Sequence, residues 1–168
     1  MSLPIKGEFW SSRFIAAIGS QADIEGFATA LTACWYKDKR LLTSLPETCA
    51  VNLTILARLL DVPVLNCVRM ALRYPSLFYQ KPETQYGRCV RTAHALSITP
   101  ALYIKMAQNS PNILGRNPQK VGKLLRDYAS LLDVPDAKIK SLITKKPSLL
   151  TQKPGYCRST HHRGGART

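Results

Sequence analysis

With 168 residues, 45% of them apolar, the chain is long enough for one domain with a real core, and its Gly and Pro content is not that of a disordered polymer. Twenty-four Lys and Arg against ten Asp and Glu give a net charge of +14, which points to a polyanion or an acidic partner. No apolar run approaches the ~20 residues that cross a bilayer, five irregularly spaced cysteines make no disulfide framework, and no phosphate-gripping glycine loop or nucleophile elbow occurs, so neither a membrane role nor an enzyme is expected.

Residues 1–45 begin with Lys6 and Arg13 interrupted by Glu8. That pattern lacks the Arg-rich, acid-free character of a transit peptide and the apolar block of a secretory signal. An intracellular, soluble protein is expected, either cytoplasmic in a bacterium or organellar, for example mitochondrial. The run Ile24 to Trp35 has helical apolar spacing, and with Lys39-Arg40-Leu41-Leu42 behind it residues 1–45 are expected to form a degenerate capping repeat. Trp10, Phe14, Phe27 and Trp35 would cover the end of the stack, as core aromatics rather than as a ligand cage.

From Pro46 onward the chain repeats itself. Prolines fall at Pro46, Pro82, Pro118 and Pro154, each thirty-six residues after the last, and Pro75, Pro111 and Pro147 keep the same step. Three tandem units follow, 46–81, 82–117 and 118–153. Laid over one another, they align Ala57, Ala93 and Ala129; Leu60, Leu96 and Leu132; Met70, Met106 and Leu142; and Leu77, Ile113 and Leu149. Within a unit these apolar positions stand three, four or seven apart, as in Leu53, Ala57 and Leu60, so each unit reads as two helices with one buried face.

The first helix starts at the ladder proline, where a missing N–H costs nothing. It ends at a turn reading Asp61-Val62-Pro63, Ser97-Ile98-Thr99-Pro100 or Asp133-Val134-Pro135, which predicts capping side chains and a proline that starts the second helix. The second helix stops before Pro75, Pro111 or Pro147, because the residue ahead of a proline is pushed out of the helical region. A short apolar hook follows, PSLF, PNIL or PSLL. On this alignment Leu132 is a core residue, and Leu132→Ala is expected to cost about 2–5 kcal/mol.

Paired helices closed by a proline and two apolar residues, with LLDVPDAKIKSLITKKPSLLTQKP (Leu131 to Pro154) as the best example, resemble the mitochondrial transcription termination factor (mTERF) family. The resemblance spans the three units. It implies an all-α solenoid, of either hand, with three to four 36-residue helix-pair repeats and a basic groove for nucleic acid, most often duplex DNA.

The charge supports a polyanion partner on its own terms. Residues 82–153 carry 12 basic against 4 acidic residues, more than half of the excess. Arg88 and Arg91 stand one turn apart on one first helix, and Lys120, Lys123 and Arg126 form a stripe on the next. On the second helices Arg69 and Lys105 share one column, Arg73 and Lys145 another, and Arg116 and Lys146 extend the surface. Rows of cations at the repeat pitch suit a phosphate backbone, whose neutralisation releases condensed counterions; ordinary solvated helix faces are the competing reading.

The function expected is therefore non-catalytic binding of nucleic acid, duplex DNA ahead of RNA, with regulation of transcription as what the resemblance implies. The tyrosines do not repeat in one column, which argues against a one-base-per-repeat stacking code. The alternative is an RNA-binding or protein-interaction scaffold in a ribonucleoprotein or other multi-subunit complex. The hook Leu149-Leu150, with no following repeat, invites a protein partner at the C-terminal repeat. No cofactor and no catalytic residue is expected, and no metal either, because Cys157 with His161 and His162 lacks a fourth ligand. Residues 154–168 read as a flexible basic arm.

Overall fold

The proline ladder becomes a ladder of helix boundaries. In a computed structural model that describes residues 6–19 and 25–154, all the regular elements are helical. They are α1 (Lys6–Ile18), α2 (Ala28–Lys37), α3 (Pro46–Leu60), α4 (Val64–Arg73), α5 (Ser76–Tyr79), α6 (Pro82–Ala95), α7 (Pro100–Asn109), α8 (Pro118–Leu132) and α9 (Asp136–Lys145), with short 3-10 turns at Glu25–Phe27, Leu41–Thr43, Pro111–Gly115 and Pro147–Leu150. First helices start at Pro46, Pro82 and Pro118, and second helices at Val64, Pro100 and Asp136. Both series keep the step of thirty-six residues, and α2 starts one step before α4.

Backbone geometry repeats as closely as the helix ends do. Among the described residues, Asp61, Ser97 and Asp133 are the non-glycine residues with positive φ, at 54°, 57° and 51°. Each lies just past the end of a first helix, and the amide of the next residue closes that end: Val62 N–H donates to Ala57 O, Ile98 to Ala93 O and Val134 to Ala129 O, at 3.0, 3.0 and 3.1 Å. This is the C-terminal cap in which a left-handed residue lets the next amides reach back to orphan carbonyls. The carboxylates of Asp61 and Asp133 were expected to cap through their side chains. They act instead through a backbone conformation that Asp tolerates better than most residues.

The second helices also start differently from expectation. Pro100 is the first residue of α7, capped by the Thr99 hydroxyl accepting from Leu102 N–H, but Pro63 and Pro135 sit one residue outside α4 and α9 and offer no side-chain cap. A proline at that position fixes φ and excludes a competing donor without entering the helix.

The chain divides into two compact units, Met1–Gly87 and Arg88–Thr168, with the division inside α6. In the first, α3 packs on α1, α4 and α5, α1 on α2, and α2 on α4. The chain bends by 113° between α3 and α4. Its aromatic centre is Trp10, Phe14 and Phe78: Trp10 stacks on Phe14 with ring centroids 5.3 Å apart, and Phe78 meets both edge-on. The Trp10 indole donates to Ser44 O at 2.9 Å. Gly7 lets α1 lie close on α2, because a Cβ there would stand 2.8 Å from the Tyr36 ring and 3.1 Å from Trp35. Trp10, Phe14 and Trp35 are buried, as core aromatics should be, whereas Phe27 is only half-buried.

In the second unit α8 packs on α9, and the hooks Pro111–Gly115 and Pro147–Leu150 pack on each other. Each hook in the chain has a carbonyl held by a side chain: Phe78 O by Asn52 Nδ2 at 3.1 Å, Ile113 O by the Tyr103 hydroxyl at 2.7 Å, and Leu149 O by the Tyr128 hydroxyl at 3.0 Å. The donors differ because the repeat conserves the need for a partner to an irregular carbonyl rather than the residue that supplies it. Lys140 stands in a column filled elsewhere by the buried Val68 and Ile104, and its ammonium reaches the Ser97 hydroxyl at 2.9 Å.

One core assignment is overturned. Leu60 and Leu96 are 3% and 2% exposed, but Leu132 is 40% exposed. Among the described residues no further helix pair follows α9 to lie on it, so the alignment carries the residue type forward without the burial. Leu132→Ala therefore removes less buried surface than the same change at Leu60 or Leu96. Ile24, Cys157, His161, His162 and the basic arm lie outside the described residues.

Candidate nucleic-acid interface

Within residues 88–168 the cations gather where α6, the hook Pro111–Gly115 and α8 converge. The stretch Gly115-Arg116-Asn117 leaves the hook in an extended conformation, with Arg116 at φ −70°, ψ 136° and Asn117 at φ −77°, ψ 118°. Extended backbone sends successive side chains to opposite sides. Gly115 and Asn117 accordingly line one cavity, with Arg88, Arg91, Pro118 and Gln119, while Arg116 lines a second with Lys120, Val121, Lys123, Leu124 and Asp127. Their volumes are about 370 and 290 Å³.

The first cavity is bounded by two arginines one turn apart and by the start of α8. Asn117 caps that helix, its side-chain oxygen accepting from Gln119 N–H at 3.0 Å, and Pro118 occupies the first helical position. The positive end of the α8 dipole thus adds to the arginine charge. In the second cavity Lys120 and Lys123 stand one turn apart, and Asp127 follows Lys123 at i+4, offsetting part of the field. Arg116 is half-buried, and its Nε, fully buried, has no hydrogen-bond partner among the described residues.

Of the eleven cations singled out in the sequence, five line these cavities: Arg88, Arg91, Arg116, Lys120 and Lys123. Arg126 lies outside both, its guanidinium folded back over Gly122, where a Cβ would stand 3.6 Å from Nη1. Lys105, Lys145 and Lys146 are exposed and also lie outside them. Arg69 and Arg73 belong to the first unit. There Arg69 sits 5.8 Å from the centroid of the Phe27 ring and donates to Asn66 Oδ1 at 3.5 Å, and Arg73 is exposed at the end of α4.

Sequence reasoning missed three polar groups of the lining, Asn117, Gln119 and Asp127. The Asn-Pro pair at a helix start signals the first, and the i, i+4 spacing of Lys123 and Asp127 signals the last. Two tyrosines are removed from any base-stacking role: Tyr103 and Tyr128 are buried and spend their hydroxyls on the hooks. Burial pushes the Tyr103 phenol above its ordinary range. The thiols of Cys67 and Cys89 are buried too, and desolvation pushes both up to about 12, so neither is a reactive nucleophile near neutral pH. Among the described residues no three His, Cys, Asp or Glu side chains gather to hold a metal ion, and no single helix is long and apolar enough to cross a membrane.

No protein-family model, curated protein or solved structure matches this chain.

Proposed function

We infer that the protein binds nucleic acid without catalysing a reaction on it, through the basic cavities of residues 88–168, with duplex DNA as the favoured ligand. The observation that carries this reading is the convergence of Arg88, Arg91, Arg116, Lys120 and Lys123 on two cavities that flank one extended linker. Phosphate oxygens are the acceptors that such a set of donors fits. A duplex is favoured over a single strand because the cavities offer charge rather than aromatic faces.

The helix pairs stack as a solenoid on this reading, of the kind the mTERF-like hook suggests, and control of transcription is the role that likeness implies. Contacts of this type position a protein on the backbone and do not by themselves select a sequence.

The test is a salt titration of affinity for random-sequence duplex DNA, single-stranded DNA and RNA. The reading expects a preference for duplex with a log-log salt slope of about 0.9 per phosphate neutralised. Replacing Arg88, Arg91, Lys120 and Lys123 together with Ala is expected to flatten the slope by about 3 to 4, with an unchanged thermal melt. A second variant, with Lys105, Arg126, Lys145 and Lys146 replaced, should flatten it less. Weak binding equal for all three ligands, or an unchanged slope in a folded first variant, removes the assignment.

A further inference from the structure

The three units supply an internal standard for what each column buries. Leu60 and Leu96 are 3% and 2% exposed against 40% for Leu132, and Met70 and Met106 are 2% and 4% exposed against 38% for Leu142. Ala57 and Ala93 are buried while Ala129 is half-buried, and Leu77 and Ile113 are buried while Leu149 is half-buried. Two columns that are sealed in the first two units thus lie open on the α8–α9 hairpin, at Leu132 and Leu142, and two more are only partly covered, at Ala129 on α8 and Leu149 in the hook. Within residues 88–168 a helix hairpin follows Leu96 and Met106; no described element follows the hook Pro147–Leu150. Residues 155–168 carry arginines, histidines and glycines without helical apolar spacing.

The charges beside the open leucines choose the occupant. Lys138 precedes Leu142 by one turn, Lys145 and Lys146 follow it by one turn, and all three are exposed. Asp133 and Asp136, at the turn of the hairpin, are the acidic residues nearest in sequence. Residues 118–153 hold 8 basic against 3 acidic residues, so a second copy of the chain would bring like charge to like charge. Leu132 and Leu142 line neither basic cavity, and Lys145 and Lys146 lie outside both.

We propose that the open face of α8 and α9 docks an acidic amphipathic helix of a different protein. Its apolar stripe covers Leu132 and Leu142, and carboxylates along its flank meet Lys138, Lys145 and Lys146. Exposed apolar side chains flanked by an excess of one sign of charge suit a partner of the opposite sign, which gains burial from the centre and selectivity from the flank. The proposal does not depend on the nucleic-acid reading.

The experiment uses the full chain and two labelled synthetic helices, both with leucines at i, i+3 and i+7, one flanked by glutamates and the other by lysines, followed by fluorescence anisotropy. The glutamate peptide is expected to bind and the lysine peptide to bind about tenfold more weakly or worse. Leu132→Ser with Leu142→Ser should weaken the glutamate peptide by about tenfold as well, and leave duplex affinity and the thermal melt unchanged. Lys138→Glu with Lys145→Glu should invert the peptide preference, which keeps the test decisive if the serine variant folds poorly. Equal binding of both peptides, no binding of the glutamate peptide, or a preference indifferent to the charge reversal overturns the proposal. A dimer seen by sedimentation and abolished by the serine variant gives the face to a second copy instead, and also overturns it.

Discussion

Leu96 and Leu132 are the same residue at the same place in one repeat, yet only the first is sealed. The cost of truncating a leucine is set by the apolar contacts it loses and by the cavity left behind, and an open side chain has few of either to lose. Leu96→Ala is expected to destabilise the protein by about 2–5 kcal/mol, and Leu132→Ala by about 1 kcal/mol. Urea denaturation of the two variants checks this directly. Equal costs would mean that Leu132 is covered in solution.

Between residue and fold, the helix ends are where the repeat is most faithful. Asp133 holds φ 51° at the end of α8, so that Val134 N–H can close on Ala129 O. A left-handed residue with a Cβ costs about 1–2 kcal/mol relative to glycine, less for Asp. Asp133→Gly is expected to raise stability by up to about 1 kcal/mol, and Asp133→Val to lower it by more than about 1 kcal/mol because a β-branched residue tolerates positive φ worst. The same pair at Asp61 should behave alike. A valine variant that melts with the wild type would show that the cap is not held in solution. Hooks add the other half of the element's logic: a proline ends the second helix, and a side-chain donor from the same repeat or a neighbouring helix satisfies the carbonyl that the irregular backbone exposes.

At the scale of the whole molecule, the four buried thiols among the described residues tie stability to alkaline pH. Desolvation pushes Cys34 up to about 11 and Cys49, Cys67 and Cys89 up to about 12, from an ordinary value of 9.0. Their folded-state values lie above the unfolded one, so their contribution is complete below pH 9 and is lost as pH rises toward 12. Stability is expected to hold from neutral pH to about 8 and to fall beyond 9, with the loss reduced in a Cys67→Val, Cys89→Val variant. Melting temperature against pH measures both. A variant with the same alkaline loss as wild type would place the cause elsewhere.

The helix-pair organisation was legible in the sequence because prolines act locally. Each fixes φ and removes a donor wherever it stands, so the ladders at Pro46 and Pro75 mark helix starts and stops before any packing is known. Buried columns such as Leu60 with Leu96 were legible for a similar reason, since helical spacing alone puts them on one face. The basic character of residues 82–153 was legible as a count, and Arg88, Arg91, Lys120 and Lys123 as stripes. Tertiary structure alone decided which cations share a cavity, because the extended backbone at Gly115-Arg116-Asn117 brings α6 and α8 together and turns Arg116 away from Arg88 and Arg91. It alone decided that Arg126 folds over Gly122, and that Asp61 and Asp133 cap through backbone rather than carboxylate. Above all it decided that Leu132 and Leu142 stay open. Burial depends on what lies opposite a residue, and a repeat written in sequence repeats the side chain without repeating its neighbour.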